Sequence, residues 1–206
     1  MTGPHSLGWA LAVDVEPTWP VGPWPAAWLW LGLALTDELL RSLAARAYQA
    51  GARRHFRNAD PLRKRGTYGL VFAFLFKAWA CFLFLQVMAA VALGQKRPWL
   101  FELVAGAFVL TEATFVLRRA QAYWTYRFAC EPGQLRGAIA YSWKLTLRLG
   151  ALGSLGYAAL YALLYWLYRH LFVAGGALGC VFMAFYWWSY SLRAAPKPPA
   201  PAARQP

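Results

Sequence analysis

Hydrophobic residues fall along this chain in five blocks, separated by polar and mostly basic connections. Each block is measured against the roughly 20 apolar residues that cross a bilayer as a helix. Residues 68–93 meet that standard most plainly, because VFAFLFKAWACFLFLQVMAAVAL contains only Lys77 and Gln86 as strongly polar members. Residues 99–117, which carry Glu102 and Glu112, and residues 147–168 and 171–192 complete the clear spans. Residues 26–48 differ. Their apolar start gives way to Thr36, Asp37, Glu38 and Arg41, after which Leu39, Leu40, Leu43 and Ala47 continue on one helical face. This block either spans at a tilt or lies partly in the interface. The pattern predicts an all-α integral membrane protein with four to five transmembrane helices and short basic inner loops. A single membrane domain, 26–192, is flanked by a Pro-rich extramembrane tail, 1–25, and a Pro/Ala-rich tail, 193–206.

Composition agrees with this reading. Apolar residues make up 60% of the 206, aromatics 17% and charged residues only 14%, whereas soluble domains carry about 25% charged residues. Residues 1–25 contain no Lys or Arg and five prolines, so neither a secretory signal nor an Arg-rich transit peptide is expected there. Cys81 and Cys180 lie inside apolar runs, and no CxxC spacing occurs, which argues against a disulfide framework or a metal site. His5 and His55 fall outside the spans and His170 in a short turn, so bis-His haem is excluded, and no cofactor is expected.

The 21 Lys+Arg outnumber the 8 Asp+Glu, but they sit between apolar runs rather than on a polar module. Anionic phospholipid such as cardiolipin, not nucleic acid, is therefore the expected partner. Six basic residues occupy 53–65, four occupy 118–136 and three occupy the tail, against Lys96, Arg97 and Arg169 in the alternate connections. By the positive-inside rule the basic connections and the C-terminus face the cytoplasm or the matrix of an inner membrane, bacterial or mitochondrial. Arg53, Arg54, Arg63, Lys64, Arg65, Arg118, Arg119, Lys144 and Arg148 are the expected contacts to lipid phosphate. Trp19, Trp24, Trp28 and Trp30 at one edge, with Trp99, with Tyr165, Trp166 and Tyr168, and with Tyr186, Trp187, Trp188 and Tyr190 near the end of the fifth block, read as an interfacial aromatic belt, a ring-lined pocket for a quinone, pigment or lipid being the alternative.

Ionisable groups inside apolar spans are costly to keep there and mark candidate sites. Asp37, Glu38, Lys77 and Glu112 qualify. Lys77 and Glu112 are nearly equidistant from the turn at residues 94–98, and Asp37 and Glu38 reach a comparable depth from the other direction. This intramembrane cluster is expected either to pin helices in register or to lie on a proton or cation path. Gly150, Ser154 and Ala158 are spaced by four, and Gly175 with Gly179 forms a GxxxG. Both are expected to let the fourth and fifth spans approach closely, with contact to another subunit as the alternative. No phosphate-binding Gly-rich loop, HExxH or convincing serine-nucleophile motif occurs, so the chain is not expected to be an enzyme. The reading that follows is a non-catalytic subunit of a larger inner-membrane complex, in contact with other membrane protein subunits. A small transporter or ion channel using Asp37, Lys77 and Glu112 is the alternative.

Overall fold

A computed structural model describes residues 23–57, 67–95, 97–131, 137–140 and 142–193. Arg63, Lys64, Arg65 and both tails beyond the helices lie outside the described residues. Five helices account for most of the structure: α1 (Pro23–Ala50), α2 (Thr67–Gly94), α3 (Pro98–Ala129), α4 (Trp143–Tyr168) and α5 (Leu171–Arg193). A 3-10 turn, Ala52–Arg54, follows α1. A two-residue parallel pairing joins β1 (Phe56–Arg57) to β2 (Ile139–Ala140). Among the described residues, four helices, α2 to α5, contain stretches long and apolar enough to cross a membrane. The protein is an all-α, multi-pass membrane protein.

The helices line up around α3. Ala26 and Ala27 of α1 pack near Phe101 and Ala105, Trp30 and Ala34 near Val109, and Tyr48 near Ala129. Helix α1 therefore runs parallel to α3 along its whole length. Its buried positions, Ala26, Trp30, Ala34, Asp37, Ala44, Ala45 and Tyr48, form one stripe at helical spacing. At a rise of about 1.5 Å per residue, 28 residues reach about 42 Å, enough to cross a bilayer. Helix α1 shares the length of the other four but not their apolarity, and it is unbroken between its apolar and charged halves. Helices α2 and α4 run antiparallel to α3, and α5 runs parallel to it. One end of the bundle thus holds the α2–α3 and α4–α5 turns (the turn end). The other holds the α1–α2 and α3–α4 connections and the last turn of α5 (the basic end).

Packing is closest where side chains are smallest. A Cβ on Gly175 would strike the Leu103 carbonyl, one on Gly179 would strike Thr111 and Ala107, and one on Gly106 would strike the Phe172 carbonyl. Gly175 and Gly179 therefore join α5 to α3, which corrects the expectation that they pair α5 with α4. The α4 stripe does face its neighbours. Ala158 packs with Cys180 and Leu110, and Ser154 is buried. The α4–α5 turn is closed by Arg169 in the left-handed conformation (φ 57°), whose N–H bonds Tyr165 O at 2.7 Å.

Two further expectations change. The basic stretch from Arg118 onward is not a loop at its start, since α3 continues unbroken to Ala129. Trp30 is not an interfacial ring either; only 3% exposed, it packs against Ala34 and Val109. Its helix-mates Trp24 and Trp28 are exposed, as a belt requires.

Beyond Arg118 and Arg119, α3 and the second half of α1 stay together. Tyr48 OH donates to Phe56 O at 2.9 Å, and the Tyr48 and Tyr126 rings meet edge to face at 5.4 Å. His55 Nδ1 lies 2.9 Å from Gly137 O, and Ile139 N donates to His55 O at 2.7 Å. A small aromatic core thereby ties the connection after α1 to the connection before α4.

Candidate functional site

The charges cluster because the helices bring their polar interruptions to one level. Measured along each axis from the turn end, Asp37 and Glu112 lie roughly 20 Å deep, Lys77 roughly 25 Å, and Arg118 and Arg119 roughly 30 Å. Lys77 Nζ donates to Glu112 Oε1 at 2.8 Å, which joins α2 to α3. The Glu112 side chain is 6% exposed and that of Lys77 45%, so the carboxylate is buried and the ammonium sits at the rim. Nζ also lies 5.3 Å from the centroid of the Trp30 ring, a cation–π contact with α1.

Asp37 does not reach Lys77 as a direct partner. It pairs instead with Arg119, Nε to Oδ1 at 3.4 Å, which ties α1 to α3. Glu38 accepts from Arg41 one helical turn later, at 3.2 Å. The four residues expected to form the cluster are thus brought to one level but split between three ion pairs. Three carboxylates, Asp37, Glu38 and Glu112, face three cations, Arg119, Arg41 and Lys77.

Arg118 and Arg119 were expected to meet lipid phosphate, and the structure turns both inward. Side chains on an α-helix lean toward its N-terminus. Because α3 runs from the turn end to the basic end, its arginines lean away from the basic end and into the apolar zone. There they need partners from the protein. Arg118 Nη1 donates to Gly150 O and Ser154 Oγ of α4, both at 3.2 Å. The guanidinium fits because α4 has no side chains in the way: points where Gly150 and Gly153 would carry a Cβ lie 3.4 Å and 3.8 Å from Arg118 Nη2. Gly150 and Ser154 are therefore an arginine berth as well as a packing face.

Arg53, Arg54 and Lys144 are exposed, and Arg148 is half-buried with its guanidinium 5.6 Å from the Trp188 ring. A polar contact not anticipated from the sequence lies deeper in the bundle. Tyr161 OH sits 3.2 Å from Thr114 Oγ1 and donates to Leu110 O at 3.3 Å, with Cys180 Sγ 3.7 Å from the same threonine. This joins α3, α4 and α5. Tyr161 resembled its aromatic neighbours in the sequence, and only the polar Thr114 opposite it gave any signal.

Among the described residues no group of His, Cys, Asp or Glu could hold a metal ion. What the site can do is electrostatic: hold four helices at a fixed relative height. No protein family, curated protein or solved structure matches this chain.

Proposed function

We propose that the protein is a non-catalytic structural subunit of a larger inner-membrane assembly, bacterial or mitochondrial. Its basic end faces the cytoplasm or matrix and meets anionic phospholipid. The observation that carries this reading is the closure of the intramembrane charges on one another. Lys77 meets Glu112 at 2.8 Å and Arg119 meets Asp37 at 3.4 Å, each pair crossing from one helix to another. Removing one member of a buried pair leaves an uncompensated charge, whereas removing both is often tolerated. A neutralised network of this kind sets helix register, a use that requires no titration and no water path. Helix α2 adds a second support. Phe72, Leu75, Phe76 and Trp79 are all exposed on it, an apolar wall available to lipid or to neighbouring subunits.

The test combines stability with assembly. Lys77→Met or Glu112→Gln alone should lower the unfolding midpoint in mild detergent, and the double variant should recover part of the loss. The expected coupling energy is on the order of 0.5–3 kcal/mol. The double variant should also co-purify with the same partner subunits as the unaltered protein. A double variant that is stable yet abolishes ion or proton flux in proteoliposomes would replace this reading with that of a transporter, as would purification as a functional homo-oligomer.

A further inference from the structure

The cations at the intramembrane level of α1–α3 differ from Arg148 of α4 in having a polar partner for the charge, although the Nε of Arg41, like that of Arg148, has no acceptor among the described residues. Arg41, Lys77 and Arg119 have carboxylate partners, and Arg118 has a carbonyl and a hydroxyl. Neither α4 nor α5 contains a single Asp or Glu. Arg148 is half-buried, its Nε is sealed from solvent, and it has no hydrogen-bond acceptor among the described residues. Its one organised contact is a cation–π contact with the Trp188 ring, 5.6 Å from centroid to Cζ, and its two Nη groups, which are not sealed, have no acceptor among the described residues.

Depth and direction say what that edge meets. Helix α4 begins at the basic end, so its side chains lean outward from the membrane, opposite to those of α3. Arg148 lies roughly 30 Å along the axis from the end of α4 at Tyr168, which matches the thickness of the hydrocarbon core. Lys144, exposed and one turn earlier, reaches the headgroup layer. The start of α4, capped by Ser142 Oγ accepting from Leu145 N at 3.1 Å, adds the positive end of the helix dipole at the same level.

We infer that Lys144 and Arg148, with Trp188 as the cation–π partner of the guanidinium, form a binding site for the phosphate diester of one anionic phospholipid at the basic end of the α4–α5 hairpin. The proposal deepens the lipid contact included in the function above: it singles out one site among the basic residues. Planar guanidinium suits phosphate because it presents paired donors in a fixed fork. The cation–π contact with Trp188 restrains the side chain in advance and reduces the ordering cost of binding.

Native mass spectrometry of the purified full chain, exchanged into neutral detergent and titrated with phosphatidylglycerol or phosphatidylcholine, tests the site. Arg148→Gln should weaken phosphatidylglycerol retention about fivefold, the effect of one basic residue near a membrane surface, and weaken retention of phosphatidylcholine, whose phosphate is offset by its choline, by less. Trp188→Leu, which alters no charge, should also weaken phosphatidylglycerol retention; a diffuse electrostatic attraction would not register that change. Arg148→Lys keeps the charge but loses the fork and should fall between Gln and the unaltered protein. Equal retention by the unaltered protein, Arg148→Gln and Trp188→Leu would overturn the site. Displacement of the lipid by inorganic phosphate alone would overturn the lipid as the source of the phosphate. Detergent titration does not depend on orientation, so a failure here is separable from an error in which side the basic end faces.

Discussion

Arg118 holds a position at which the usual account of membrane arginines does not apply. A long basic side chain near a helix end normally reaches back to the interface, but on α3 the Cα–Cβ direction points the other way. The fold answers with Gly150 O and Ser154 Oγ, and it keeps those two groups bonded to each other as well, with Ser154 Oγ donating to Gly150 O at 3.0 Å. Removing the arginine therefore leaves no orphaned acceptor. Filling its berth is another matter. Gly153 faces the guanidinium at ordinary contact distance, 3.8 Å from a would-be Cβ to Cζ, so Gly153→Ala should be nearly silent. Gly153→Leu should cost about 1–3 kcal/mol by overpacking. Arg118→Ala placed in the same chain should recover much of that cost, as read from thermal unfolding in detergent. A Gly153→Leu protein as stable as the original would mean that the arginine does not lie against α4. The sequence made legible which charges enter the membrane, because a polar residue in an apolar run stands out. It did not show their partners. Asp37 and Lys77 share a depth, but the lean of Arg119 along α3 decides that Arg119 is the one to reach Asp37.

Between elements, the same limit separates a face from its neighbour. Gly175 and Gly179 were readable as a surface of close approach, since four-residue spacing puts both on one side of a helix. Which helix lies there is a tertiary matter. Chain order favours α4, the sequential neighbour across a short turn. Helix α3 takes the position because it brings its own small residues, Gly106 and Ala107, to the crossing, so both backbones can approach. Helix α4 meets α5 instead near Ala158 and Cys180. The element boundaries were more legible: the blocks at 68–93 and 171–192 fall within a residue or so of α2 and α5. Helix α3 ran on because nothing in AQAYWTYRFA breaks a helix, and apolarity ends at Arg118 while helicity does not. The α3–α5 crossing carries a sharp expectation. Gly175→Ala adds one methyl against the Leu103 carbonyl and should destabilise the protein by about 1–3 kcal/mol. Gly156→Ala, where nothing lies within 4 Å, should be neutral or slightly stabilising through helix propensity. Equal unfolding midpoints for the two variants would place α5 elsewhere.

Over the whole molecule, the two ends differ more than the five helices do. The turn end carries Trp24, Trp28, Trp99, Trp166 and Tyr168, all exposed, and few charges. The basic end carries Arg53, Arg54, Arg127, Lys144 and Arg193, all exposed. It extends past the level of Arg118 and Arg119 as the paired ends of α1 and α3, closed by Tyr48, Phe56, Tyr126 and Ala129. Taking the hydrocarbon as roughly 30 Å thick, that stalk stands clear of it by about 10–15 Å. The proposed orientation puts the basic end of this asymmetric object on the side that retains Lys and Arg during biogenesis. Two exposed glutamines at opposite ends make the orientation measurable. With the native cysteines replaced, Gln49→Cys at the end of α1 should be shielded from an impermeant thiol reagent in intact cells or mitoplasts, and should react once the membrane is opened. Gln95→Cys in the α2–α3 turn should react from the start. Because α1 and α3 are parallel and packed along their length, the experiment also tests whether α1 crosses. If it instead lay in the outer interface, position 49 would label with position 95. Reaction at 49 with protection at 95 would invert the whole molecule, and with it the membrane face on which the Lys144–Arg148 pair meets lipid.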